Sequence, residues 1–202
     1  MVPDALLALD VALLLPPPAT ATIGRLNARL AGPPAGFRFD ATHFPHVTLV
    51  QQFSPASDLG EITDEVAAVL ARTAPLRLTA VGLDAGETTT SLALDPTPEL
   101  EELHASLMDR LAAFDVAAGD ESAFVNDDEP PRARDVAWVT QFRTAAAYRR
   151  FDPHVTLGVG ALDGPPPALA IDVATVALCH LGRFCTCRRR LTSWTLAPEA
   201  GA

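Results

Sequence analysis

The 202-residue chain has no lysine; all fifteen of its basic side chains are arginine. Together with abundant Ala and Pro, that looks like the product of a GC-rich bacterial genome rather than a functional signal. Aromatics make up only 6%, with two Trp and a single Tyr, so the core has to be built from Ala, Leu and Val. Cysteine is scarce too. Cys179, Cys185 and Cys187 are an odd number clustered near the C-terminus, which argues against a disulfide framework. The Cys185-Thr186-Cys187 spacing is shorter than a zinc-type pair and has no second pair to complete it, leaving reduced strand cysteines. No apolar run approaches the roughly 18 residues of a membrane span. The run 5–15 is short, is interrupted by Asp10, and lacks both a preceding basic stretch and a small-residue cleavage pattern, so it does not read as a signal peptide. A cytoplasmic protein with no membrane partner is the expectation.

Positive charge is in deficit overall. The net charge of −10 argues against a protein that coats nucleic acid through bulk electrostatics. The deficit is uneven, however: between 130 and 194 there are nine Arg, four Asp and no Glu. That local surplus suits an anionic ligand.

What the chain does have is a repeated pentapeptide. PHVTL occurs at 45–49 and again, unchanged, at 153–157. On a strand, side chains two apart share a face. His46 and Thr48 therefore point one way and Val47 and Leu49 the other; the same parity pairs His154 with Thr156. Two equivalent strands lining a cleft would bring two imidazoles and two hydroxyls together. Imidazole serves as acid or base near neutral pH. One neutral His takes a proton from an attacking hydroxyl or water, while the other, protonated, gives one to a leaving oxygen. The Thr hydroxyls donate to the non-bridging phosphoryl oxygens, where charge develops. The scheme needs no metal or other cofactor. A metal site of His43, His46 and His154 with an Asp is the weaker reading, because a Thr partner is a poor ligand for metals that favour imidazole. His43 reads as a loop residue near the cleft.

The rest of the chain supplies the frame. Strands are expected at 5–15, 44–53, 76–83 and 88–94, the last two as a hairpin about the turn 84–86. The prolines at 16–18 end the first strand, and Thr20 or Thr22 caps a helix to about Leu30. A second helix runs from Ser57 or Asp58 to about Thr73, and a third, capped by Thr97, to about Phe114. The polar segment 119–134 is a long loop, 136–139 a short strand and 140–150 a short helix. The second motif strand is 154–159, followed by strands at 169–181 and 184–196 around Gly182. This order lacks the regular alternation of a doubly wound sheet. It predicts an α+β fold of mostly antiparallel sheets in two lobes, a single domain over 1–202.

The paired His-x-Thr motifs, His46/Thr48 and His154/Thr156, each followed by apolar residues, resemble those of the 2H phosphoesterase superfamily, which includes RNA 2′,3′-cyclic phosphodiesterases, also called 2′-5′ RNA ligases. The order of elements extends the resemblance over nearly the whole chain. It implies a pseudo-twofold fold with helices packed outside and both motifs in a central groove. It also implies roles: His46 protonates the departing 3′ oxygen, His154 activates water, and Thr48 and Thr156 hold the phosphoryl oxygens. The implied substrates are RNA ends or small cyclic nucleotides, handled by a monomer and left as 2′-phosphates. A tyrosine after the second motif is missing, the only one being Tyr148. Phe44, Phe184 or Trp194 would be the substitute for base stacking, with ordinary core packing as the alternative role of each. On a strand Arg188 and Arg190 share a face and would guide phosphate to the groove. Arg183 belongs to the same cluster, and His180 reads as a satisfied strand histidine. Two alternatives use the same groove: 2′-5′ ligation, and a binding module for RNA or a nucleotide that turns nothing over.

Overall fold

The computed structural model describes residues 4–86, 88–126 and 129–197. Leu6–Leu14 (β1) is buried from Ala8 onward, as its nearly unbroken apolar sequence demands. It lies inside a four-stranded sheet, flanked by His46–Pro55 (β2) and Thr175–Leu181 (β7), with Cys187–Thr195 (β8) beyond. A second sheet has the order β5-β4-β3-β6, from His154–Val159 (β5), Thr89–Leu94 (β4), Leu76–Ala85 (β3) and Ala170–Val173 (β6). All pairings between these strands are antiparallel. This is the expected α+β architecture. Each sheet places its motif strand at one edge, and those two edges pack against each other.

Among the described residues four α-helices complete the fold: Pro17–Asn27 (α1), Leu59–Leu70 (α2), Pro98–Arg110 (α3) and Ala133–Ala145 (α4). Leu13 and Val47 of the first sheet share one apolar cluster with Leu92 and Val155 of the second, together with Ile62 of α2 and Leu107 of α3. The out-facing Val of each PHVTL is thus a core anchor.

Three segments depart from the sequence reading. The strand expected at 136–139 is part of α4, which begins at Ala133 and takes in the first half of the helix expected at 140–150; Tyr148–Arg150 is a separate 3-10 turn. Asp135 decides this: its Oδ2 accepts from the Arg132 backbone N–H at 2.8 Å, capping the helix. Asp135, Val139 and Phe142 then bury one face at helical spacing. The prolines at 16–18 start a helix as well as ending a strand. Pro17 sits at the first helical position, where no N–H is required, and Thr20 Oγ1 bonds back to the Leu15 carbonyl instead of capping. The strand expected at 169–181 divides at Ala174, giving β6 to one sheet and β7 to the other. Of the expected loop 119–134, residues 127–128 lie outside the described residues; Glu121–Ala123 forms one 3-10 turn.

His104 on α3, 1% exposed, connects the two motif regions. Its Nδ1 meets the Leu49 carbonyl at 2.7 Å, and its Nε2 accepts from the Tyr148 backbone N–H at 2.9 Å. A carbonyl only accepts, so the ring is the neutral Nδ1–H form, and burial pushes its pKa down. His104→Ala strands both backbone groups and is expected to lower unfolding stability by about 1–3 kcal/mol in a denaturant titration.

Candidate active site

Each motif opens with a proline that cannot donate and holds the residue before it extended. The carbonyl of that preceding residue is brought onto the motif imidazole. His46 Nδ1 lies 2.7 Å from the Phe44 carbonyl and His154 Nδ1 lies 2.7 Å from the Asp152 carbonyl. Because a carbonyl cannot donate, Nδ1 carries the proton in both rings when they are neutral. Both Nε2 atoms are then left with a lone pair. The pentapeptide fixes a tautomer as well as a face.

A groove of about 660 Å³ runs between the two sheet edges and is lined by His46, Thr48, His154 and Thr156. Strand parity holds in both copies: Val47, Leu49, Val155 and Leu157 are buried on the opposite side. In β2 the parity then breaks. A bulge sets Val11 opposite Val50 but Ala12 opposite Thr48, leaving Leu49 as the extra residue. The bulge turns Gln51, three residues after Thr48, onto the groove side with it.

Beneath the first motif lies Asp10, which sequence reading noticed only as a break in an apolar run. It is fully buried. Its Oδ2 accepts from Thr48 Oγ1 at 2.8 Å and from Gln51 Nε2 at 2.8 Å, and stands 3.6 Å from His46 Nε2. Burial raises its pKa to about 7, against the pull of the Gln51 and Thr48 hydrogen bonds. Burial also lowers His46 to about 4, opposed by the Phe44 carbonyl and reinforced by the charge of His154. A lone carboxyl in an otherwise apolar central strand was the available signal.

The groove walls come from elements that the motifs did not reveal. Arg132 is held by Asp135, whose carboxylate accepts from the Arg132 Nε at 3.0 Å. The guanidinium lies 3.9 Å over the ring of Phe184, whose own backbone N–H bonds Asp135 at 3.1 Å. Phe184 has φ of 64°, a left-handed conformation held by that bond and by the 3-10 turn Arg183–Cys185. Trp138 and Gln141 of α4, together with Thr89 and Ser91 of β4, face the same space.

Four expected groove residues are elsewhere. Arg188 and Arg190 do not share a groove-facing row, because β8 bulges at Arg188: Cys187 pairs with Leu181 and Arg189 with His180. Arg188 is 8% exposed and closely packed over Gly182, where an added Cβ would lie 2.5 Å from Arg188 Cγ. Arg190 is at the surface, 5.9 Å above the ring of Phe44. Neither arginine lines the groove, and neither do Phe44 and Trp194. The groove's arginines are Arg132, Arg134 and Arg150. Arg183 pairs with Glu129, and His180 Nε2 meets the Ala123 carbonyl at 2.8 Å.

Asp10, His46 and Cys187 bring potential metal-ligand atoms within 4.8 Å of one another. The carboxylate is already engaged by Thr48 and Gln51, and burial raises the Cys187 thiol well above its ordinary pKa.

A family profile described as the 2′-5′ RNA ligase superfamily matches residues 15–178. Among solved structures, Escherichia coli LigT complexed with phosphate is 19% identical, with 96% of this chain and 99% of that chain covered and a TM-score of 0.61. TT0787 of Thermus thermophilus is 17% identical, with 96% and 100% covered and a TM-score of 0.61. A protein described as a phosphoesterase is 21% identical, with 95% and 99% covered and a TM-score of 0.56. At such identities the likeness is one of fold. No curated protein matches the chain. No helix among the described residues is long and apolar enough to cross a membrane.

Proposed function

The chain belongs to the 2′-5′ RNA ligase superfamily of 2H phosphoesterases, and from that we infer that it hydrolyses 2′,3′-cyclic phosphates of RNA ends or small nucleotides to 2′-phosphates without a metal. One observation carries the reading. Two imidazoles, each with Nδ1–H tied to a backbone carbonyl, line one groove. Acid–base hydrolysis of a cyclic phosphodiester needs that arrangement. His154 Nε2 takes the proton of a water as its oxygen bonds phosphorus. His46, once protonated at Nε2, gives its proton to the departing 3′ oxygen. Thr156 Oγ1 donates to a phosphoryl oxygen, and Arg132 and Arg134 at the rim favour the anion. Escherichia coli LigT is described in complexes with phosphate and with 3′-AMP, which supports a phosphate-bearing nucleotide as the ligand here.

The test is incubation of the full chain with a 2′,3′-cyclic nucleotide in EDTA, with products separated by chromatography. A 2′-phosphate is expected. Tight nucleotide binding without product would favour the binding-module reading instead. The family description also supports the reverse reaction, which uses the same groups by microscopic reversibility. Joining a 2′,3′-cyclic end to a 5′-hydroxyl RNA faster than hydrolysing it would favour that direction.

A further inference from the structure

The two motifs are alike in sequence but not in surroundings. Under His46 and Thr48 lies the buried Asp10, 3.6 Å from His46 Nε2 and bonded by Thr48 Oγ1 and Gln51 Nε2. Its second oxygen, Oδ1, has no hydrogen-bond partner among the described residues. No carboxylate among the described residues pairs with His154; its ring meets only the Asp152 carbonyl. We propose that Asp10 is a positioning residue that shares one proton with His46 and so supports the imidazolium that His46 must become to act as the acid. The inference rests on the phosphodiesterase reading above and gives a physical cause for the unequal roles stated there.

A general acid at this site must carry a proton on Nε2. Since Nδ1 already holds one, the ring must become an imidazolium. His46 is 13% exposed in its side chain, and a cation there needs a counter-charge within reach. Asp10 is the carboxylate that supplies it. With the groove empty, burial disfavours charge on both partners, raising Asp10 and lowering His46, so that below about pH 7 the proton sits on the Asp10 carboxyl. The pair therefore stores a proton without net charge.

A phosphodiester anion in the groove favours positive charge on the ring. Asp10 then gives up its proton and His46 Nε2 gains one, relayed through groove water because 3.6 Å is too long for a direct hydrogen bond, leaving a carboxylate already bonded by Thr48 and Gln51. In the chemical step that proton passes to the 3′ oxygen as its bond to phosphorus breaks. His154 receives the proton of water, and the protons lost and gained re-equilibrate through solvent after product leaves. His154 needs no such partner, because a base has only to offer its Nε2 lone pair and Nδ1 already donates to the Asp152 carbonyl.

The other titratable groups around Asp10 do not compete. Cys179 lies opposite on β7, with Cys187 on β8 and Cys185 in the adjoining turn. Burial raises the Cys185 and Cys187 thiols, and Cys187 is also hydrogen-bonded to Cys179. On the α4 side, Arg132 and Asp135 pair with each other.

Asp10→Asn tests the idea, since Asn keeps the size and accepts from Thr48 and Gln51 but holds no exchangeable acid proton. Histidine ring resonances are followed against pH in the empty protein. In the wild type His46 is expected to report two steps, near pH 4 and near pH 7, and in the variant only the lower one. On a 2′,3′-cyclic nucleotide the variant is expected to lose about 10²-fold in kcat. The basic limb of its pH profile should move down by at least about one unit. On a 4-nitrophenyl phosphodiester, whose leaving group needs no acid, it should keep activity within about threefold of wild type, whereas His154→Ala should not. Equal losses on both substrates, or an unchanged His46 titration, overturn the inference. A wild type inert on both substrates brings down the hydrolytic reading itself and the roles with it, and so is distinguishable from an active wild type that Asp10→Asn leaves unaltered.

Discussion

His46→Ala and His154→Ala are each expected to lower kcat on a 2′,3′-cyclic nucleotide by about 10²–10⁴-fold, and the double variant to lose little more than the worse single one. The size follows from what each ring does. Without His154 no group takes the proton of water as it attacks. Without His46 the 3′ oxygen departs as an alkoxide. The sub-additivity follows from both transfers belonging to one transition state, where an acid without a base brings little. Residual activity should come from the groove alone, through Thr156 and the rim arginines. The measurement is steady-state kinetics of the four proteins in EDTA, with folding checked by circular dichroism. Losses that simply multiply would indicate two independent effects. Wild-type turnover by either single variant would sink the two-histidine mechanism.

Asp10→Asn is expected to stabilise the protein at alkaline pH while damaging its activity. Asp10 ordinarily ionises near 3.8 and in the fold near 7. The folded state therefore binds more protons than the unfolded one across that interval, and stability drawn from this site falls as pH rises through it. His46 has the opposite sign, because burial moves it from 6.5 to about 4. Its contribution is present above 6.5 and is lost as pH falls toward 4. The two slopes oppose each other between about 4 and 6.5, so the wild-type pair is nearly flat there. Removing the carboxylate leaves the His46 slope exposed. Above pH 7 the variant should exceed wild type by about 2–4 kcal/mol in unfolding free energy, from a shift of some three pKa units on a fully buried group. At pH 4 the two should converge. Urea titrations at pH 4, 6 and 8 read this out, and a variant less stable at pH 8 would contradict it. A stability gain joined to an activity loss marks a residue kept for function.

The repeated pentapeptide was legible because everything it needs is local. A strand period of two sets the face, and a preceding proline sets the carbonyl that fixes the ring. Bulges defeated the same parity argument elsewhere. Nothing in the residues around Leu49 or Arg188 announces an extra residue in the ladder. Gln51 consequently joins the groove side, while Arg188 and Arg190 fail to reach the groove. The segment 133–145 misled for another reason. Val136 and Val139 look like strand residues in a short window, and the Asp135 cap that makes the segment helical also holds Arg132 and Phe184 at the groove. Asp10 could have been found. A carboxyl amid Leu, Ala and Val on a strand buried from Ala8 onward requires partners, and Thr48 and Gln51 on the neighbouring strand supply them.

That the two motifs form one phosphate site is tested most directly by adding inorganic phosphate to the metal-free protein while following the ring nitrogens of His46 and His154 by NMR. The Nε2 resonances of both residues should move along a single saturation curve, with both Nδ1–H groups still bonded to their carbonyls. Movement of only one histidine, or two curves with different midpoints, would mean that the repeated motifs do not act on one phosphate.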